Sequence, residues 1–177
     1  MGKHTPPKAR DHKLLAFGIF LAKIIARLPL PFLLFLGKII GFVSYYVAGS
    51  RRKIIQRNLE LCFPELDHKS RQKLIKANFK SMGMAIFEVI IAWYMPRKSL
   101  EKYLVYEGLE NLEAYEKSGK GALLLTLHMT PLELGGRAIS FKTKVRGMYR
   151  PHENPYYEYV QYKGRFDQSG LEPITRD

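Results

Sequence analysis

The sequence predicts an α/β protein in which a helical, membrane-associated N-terminal part precedes an α/β domain. Three observations predict it. Residues 14–47 form a long apolar run broken by Pro29 and Pro31 in its middle and carrying Lys23, Arg27 and Lys38 within it. Beyond Glu101 the texture changes to short β-like stretches alternating with helical ones, the pattern of a parallel sheet with crossover helices. The 177 residues carry 29 Lys and Arg against 16 Asp and Glu, a net charge of +13, which directs the protein toward anionic membrane surfaces, phosphorylated or acidic substrates, or nucleic acid. A hydrophobic content of 46% excludes a disordered basic tail.

The apolar run parses as two helices, residues 13–28 and 31–47, joined at "LPLP". Lys23 and Arg27 are four apart and share a face of the first helix, their stems long enough to reach headgroups. The segment therefore reads as one tilted span or as amphipathic helices lying in the interface. Cations flank it on both sides, with Lys3, Lys8, Arg10 and Lys13 before and "SRRK" after, so the positive-inside rule does not choose a crossing. Charges inside the run and the lack of an A-x-A site argue against a cleaved signal peptide.

Residues 54–62 read as helix, stopped at Pro64. Asp67 or Ser70 can cap the next helix, which runs to about Tyr94 with Leu74, Ala77, Met84 and Phe87 on one face and Pro96 closing it. The single cysteine, Cys62, excludes an internal disulfide and reads as core packing in this apolar stretch. Next come a strand at "YLVYEG", a helix at "LENLEAYEKSG" ending in Gly119, a buried strand at "GALLLTL", a helix at "PLELGGRAISF" and a strand at "VRGMYR". A helix at "NPYYEYVQYKGRF" follows, with Asn154 as cap and Pro155 at its first position, then a strand at "LEPIT". The divisions are membrane-anchoring helices over residues 1–50, a helical region over 51–100, and an α/β domain over 101–177. Three strands, with another only beginning at "LEPIT", are a meagre core, so the α/β domain is expected to be incomplete in this chain.

"LLLTLHMTPLELGG" carries the chemistry, because His128 stands at the expected carboxyl end of a strand and Glu133 follows five positions later. A neutral imidazole can take a proton from a substrate hydroxyl while a carboxylate holds its tautomer and stabilises the imidazolium. With no serine or cysteine at matching spacing, the nucleophile would be the substrate's own hydroxyl. The same residues also spell a capping box, Thr130 as N-cap, Pro131 next and Glu133 at the third position, in which Glu133 serves only the helix. Both readings fit the residues.

The surrounding words are "RNLELCFPEL" (57–66), "NFKSMG" (78–83), "HMTPLELGGR" (128–137), "YRPHENP" (149–155) and "KGR" (163–165). In this order and spacing the chain resembles the late acyltransferases of lipid A biosynthesis, most of all the lauroyl and palmitoleoyl transferase branch. The resemblance implies a glycerolipid-acyltransferase-like αβα domain on the cytoplasmic face of the bacterial inner membrane, held by an N-terminal anchor. It implies transfer of a fatty acyl chain from acyl-acyl carrier protein to a hydroxyl of a hydroxyacyl chain of Kdo2-lipid IVA, with no cofactor. On the family's motif His128 matches the general base and Glu133 its partner. Arg165 matches a required arginine that binds acidic groups or stabilises the developing oxyanion. Arg150 in "YRP" is implied in headgroup or loop positioning, and His152 matches no functional position. Family members continue beyond Asp177, so a chain ending there is expected to lack part of the acyl pocket.

A rival reading is a catalytically inactive fragment or a non-catalytic basic protein on membranes or nucleic acid, since "YRPHENPYYEYVQYKGRF" interleaves aromatics with cations. Helical packing accounts equally for Tyr156, Tyr159 and Val160 at their i, i+3, i+4 spacing, and no RNP-type or helix-turn-helix signature supports nucleic acid.

Overall fold

Two glycines on one helix and one on another decide how the helices meet. In the computed structural model, which describes residues 13–119, 121–167 and 171–175, α1 spans Lys13–Ile25 and α2 Leu30–Val47. The cations Lys3, Lys8 and Arg10 lie outside the described residues. Pro29 and Pro31 separate the two helices as expected, and α1 ends three residues earlier than the sequence pattern suggests. α3 (Gly49–Cys62) leads to α4 (His68–Tyr94), a helix of 27 residues and about 40 Å. Asp67 is its N-cap, its side chain accepting from the Ser70 N–H at 2.7 Å.

α4 packs along α2 at backbone distance. A Cβ on Gly37 would lie 2.6 Å from the Met84 Cα, one on Gly41 would overlap the Phe79 carbonyl oxygen, and one on Gly83 the Gly37 carbonyl oxygen. Gly37 and Gly41 form a G-x-x-x-G pair, a spacing that brings two small residues to one helix face and suits packing in lipid, where no hydrophobic effect drives helices together. The inward row of α4 is accordingly Ile75, Phe79, Gly83, Phe87 and Ile91, one residue every turn. This corrects the expected face: of its four residues only Phe87 is buried, while Leu74 and Ala77 face outward, because the i±4 ridge lies in the glycine groove of α2. Leu33, Phe87, Ile91, Met95 and Leu100 form the core cluster, joined by Leu134 and Phe141 from the later half.

α2 is the one helix among the described residues long and apolar enough to cross a bilayer, with a mean hydropathy of 1.7. Its outward face carries Phe32, Phe35, Ile39, Phe42 and Val43, all exposed. α3 buries none of its residues, so Cys62, expected in the core, is exposed at its end.

After α4 come a short helix α5 (Arg97–Leu100), a 3-10 turn (Glu101–Tyr103), α6 (Leu109–Lys117) and α7 (Leu132–Ser140). Strand β1 (Arg146–Tyr149), α8 (Pro155–Tyr162), a π-helical turn (Lys163–Asp167) and strand β2 (Glu172–Thr175) complete the described chain. β1 and β2 pair in parallel, Arg146 opposite Glu172 and Met148 opposite Ile174, the expected α/β element in small. Asn154 caps α8, its Oδ1 accepting from the Tyr156 and Tyr157 N–H groups at 3.0 Å, and Gly119 ends α6 with φ 71.

Two expected strands do not form. Residues 103–108 keep the period-2 pattern, Leu104 and Tyr106 inward and Val105 outward, without a partner strand. Residues 121–127 were expected as a buried strand and are instead an exposed extended segment, with Leu123 and Leu125 each 95% exposed. β1 and β2 pair only with each other, so this run has no ladder to join.

Gly41→Ala and Gly83→Ala should each lower stability by about 2–3 kcal/mol, since backbone rather than a movable side chain opposes the new methyl. Gly18→Ala, with nothing within 4 Å of the added Cβ, should be neutral or slightly stabilising. Chemical denaturation in detergent micelles measures the difference, and equal midpoints for all three would contradict the close packing.

Candidate active site

Two of the four site residues singled out in the sequence, Glu133 and Arg165, meet at the C-terminal end of α4. Trp93, the only tryptophan, lies in its last turn, and its indole N–H donates to Glu133 Oε2 at 3.1 Å. Arg165 Nε donates to both carboxylate oxygens of Glu133, at 2.8 and 2.9 Å, and Arg165 Nη2 also donates to Oε1. Three N–H groups from two distant segments thus converge on one carboxylate of α7. The two charged side chains are only 27% and 18% exposed, so the charge-assisted bonds are shielded from bulk water.

Each element is held by its own local chemistry. Gly164 precedes Arg165 in the π-helical turn, and a Cβ there would meet the Trp93 ring at 2.5 Å. Only glycine lets the turn sit against the indole and bring Arg165 to Glu133. One turn after Glu133 on α7, the buried Arg137 Nη1 donates to the carbonyls of Ile91 and Ala92 at 2.9 and 2.7 Å, and its Nη2 to that of Met95 at 2.6 Å. It satisfies the otherwise unpaired carbonyls of Ala92 and Met95, joins the Met95 N–H on the Ile91 carbonyl, and sets a cation at the negative end of the helix. Burial lowers the pKa of its guanidinium, which stays charged nonetheless.

The capping box does not form. Pro131 is the N-cap of α7 with no side-chain cap bond, because the Glu133 carboxylate is drawn to the indole and guanidinium instead of the Thr130 N–H. His128 lies in the exposed segment before α7, and no hydrogen bond joins it to Glu133 or to any other described residue. Glu133 and Arg165 are therefore together, and His128 stands apart from them.

Arg150, just past β1, is exposed and makes no hydrogen bond or ion pair with a described residue. Next to it is a cluster the sequence reading passed over. Glu158 is buried on α8, accepting from the Tyr149 hydroxyl at 3.0 Å and the His152 backbone N–H at 2.7 Å. Burial and then the Glu158 bond push the Tyr149 phenol up to about 12, so it remains a donor at neutral pH. His152 Nδ1 accepts from the Asn154 N–H at 3.0 Å, a loop-closing role. Tyr156, Tyr157, Tyr159 and Val160 pack around Ala92 and Trp93, so these aromatics serve the core. Among the described residues no group of three His, Cys, Asp or Glu side chains is placed to hold a metal ion.

Trp93, Arg137, Gly164 and Glu158 were missed as contributors. The only signals were that Trp93 is a lone tryptophan ending an apolar helix and that Gly164 and Arg137 lie inside the quoted words "KGR" and "GGR".

Residues 7–174 match the family described as "Bacterial lipid A biosynthesis acyltransferase". The chain is 38% identical over 149 residues to the lipid A biosynthesis palmitoleoyltransferase of Escherichia coli, covering 84% of this chain and 49% of the relative. It is 34% identical over 148 residues to the lipid A biosynthesis lauroyltransferase of the same organism, covering 84% and 48%. To a lipid A biosynthesis acyltransferase of Haemophilus influenzae it is 37% identical over 150 residues, covering 84% and 48%. The chain thus spans about half the length of the curated relatives it matches. No solved structure is significantly similar to it.

Removing one partner strands the other's charge in a half-buried place. Arg165→Ala and Glu133→Ala should each destabilise the protein by about 2 kcal/mol, the double variant by clearly less than their sum, a coupling of about 1–2 kcal/mol. A double-mutant cycle on unfolding measures it; additive losses would show the pair to be incidental.

Proposed function

The chain belongs to the bacterial lipid A biosynthesis acyltransferase family, and from that premise we propose that it serves the transfer of a fatty acyl chain from acyl-acyl carrier protein to a hydroxyl of a hydroxyacyl chain of Kdo2-lipid IVA. In this reading His128 is the general base. It takes the proton of the acceptor hydroxyl as the oxygen attacks the acyl carbonyl; an ester C–O bond forms, the thioester C–S bond breaks, and the proton passes to the departing sulfur.

The observation that carries the proposal is the mounting of Glu133. Trp93 and Arg165 hold its two oxygens through three N–H donors, the Arg165 Nε being shared between both, and in this reading an imidazole N–H takes the place of one half of that shared bond. His128 is five residues upstream in an exposed segment, and in this reading a rearrangement of that segment joins it to Glu133. Arg165 acts first as the residue that positions Glu133. As a fixed cation it also favours charge developing on the acyl oxygen, because it needs no reorganisation during the reaction. Arg150, exposed beside β1, is available to acidic groups of the acceptor.

The exposed apolar faces of α1 and α2 support attachment to a membrane, in this reading the inner membrane at its cytoplasmic face, where acceptor glycolipid and carrier protein would meet. The basic balance of the chain suits an anionic leaflet, a phosphorylated acceptor and an acidic carrier alike.

Membranes of cells expressing the protein from its natural reading frame, given acyl-acyl carrier protein and Kdo2-lipid IVA, should yield a glycolipid heavier by one acyl chain in mass spectrometry. His128→Ala should slow this by about 10²–10⁴-fold without changing thermal unfolding. Undiminished turnover in the variant would overturn the base assignment, and no product from the unaltered protein would overturn the reaction.

A further inference from the structure

On the side of α4 nearest α1, a cleft of about 560 Å³ is lined by Lys23, Arg27, Tyr94, Met95, Pro96, Arg97 and Arg137. Four of these seven residues are cationic and none is acidic. A second cleft of about 340 Å³ shares Arg27, Met95 and Pro96 with the first and adds Lys102. Two of the lining cations, Lys23 and Arg27, have no carboxylate or carbonyl partner among the described residues. The Lys23 ammonium lies 5.8 Å from the Tyr94 ring centre, and the Arg27 side chain makes no hydrogen bond or ion pair with a described residue. Arg97 shares its guanidinium between Glu101 at 2.8 Å and the Phe141 carbonyl at 3.3 Å. At the base, Arg137 is only 4% exposed and its Nε is buried with no hydrogen-bond partner.

Only Arg97 of the four has a carboxylate partner, Glu101, so the concavity keeps an excess of positive charge that raises the local potential and selects for an anion of high charge density. Guanidinium forks match the oxygens of a phosphate bidentately, and the lysine adds a point charge. The position narrows the ligand further. The clefts lie where α1 ends and α2 begins, and those two helices carry the exposed apolar side chains Phe17, Phe20 and Ile24, and Phe32 and Phe35. A phosphate carried by acyl chains can place its charge among the cations and its chains along those faces. Glu133 and Arg137 are four residues apart on α7, so the cleft adjoins the candidate active site at about 6 Å along the helix axis.

We propose that the cleft formed by Lys23, Arg27, Arg97 and Arg137 is a binding site for the phosphate group of a lipid. The phosphate comes either from the acylated sugar that is the acceptor or from a headgroup of the surrounding bilayer. The site is a binding function separate from proton transfer at His128, and its failure would leave the acyl-transfer reading standing.

The test uses the protein in nanodiscs of phosphatidylcholine, titrated with glucosamine 1-phosphate and with inorganic phosphate, and followed by calorimetry and by the ³¹P chemical shift. Arg27→Gln and Arg97→Gln should each weaken binding about tenfold. Lys38→Gln, on an exposed cation about 12 Å along α2 from its start, should not. Should Arg97→Gln fail to fold, Arg27→Gln suffices, since its side chain bonds nothing described. Replacing part of the phosphatidylcholine with phosphatidylglycerol separates the sources: lost binding of the sugar phosphate assigns the site to a bilayer headgroup, and unchanged binding assigns it to the acceptor. Absence of titration, or equal affinity in all variants, would overturn the proposal. So would loss of acyl carrier protein binding in Arg27→Gln with phosphate binding intact, which would make the cleft a protein-docking surface.

Discussion

The last turn of α4 is the joint on which the described fold depends. Its carbonyls at Ala92 and Met95 would cost free energy if buried unpaired, and Arg137 answers both while adding a second bond to the Ile91 carbonyl, which already accepts from the Met95 N–H. That arginine fastens α7 to α4, and α7 in turn carries Glu133 against the indole of Trp93. Trp93 provides the flat surface on which Gly164 rests, and Gly164 sets the approach of Arg165. One helix end therefore fixes a carboxylate, an aromatic ring and a guanidinium from three separate segments. The exposed loop with His128 lies outside this interlock, the more rigid part being the carboxylate's mount rather than the base.

The helical half was legible in the sequence because its determinants are local. Pro29, Pro31, Asp67, Pro96 and Asn154 each act within a turn of themselves, and all five mark element ends in the structure. Strands at "VRGMYR" and "LEPIT" were legible too, since each finds the other. What local pattern could not supply was partnership. "YLVYEG" and "GALLLTL" have strand-like residues, but a strand exists only when another backbone pairs with it. The inward face of α4 was misread for a related reason: apolar counting favours Leu74 and Met84, while the neighbouring helix favours whatever lies opposite Gly37 and Gly41.

The candidate site was half legible. His128, Glu133 and Arg165 were named from motif words, yet the words do not say which of them touch. The capping box at Thr130 is a sound local rule that yields here to a distant guanidinium and indole, which offer three N–H donors in a partly buried place against one backbone N–H. Trp93 and Arg137 were invisible because their roles lie 40 or more residues away in sequence, in Glu133 and in the carbonyls of α4. The net charge of +13, at first a clue to the class of partner, becomes local in the structure as the cationic clefts beside α4.

The bare run from Leu123 to Leu127 has a consequence for the protein as a material. Leu123, Leu125 and Leu127 are open to solvent, the stretch has no charge or proline, and its backbone has no strand alongside. Such a segment is a template for intermolecular β-pairing, and identical copies are its best-matched partners. Solubility, more than catalysis, is the property that a single charge introduced among these leucines would alter.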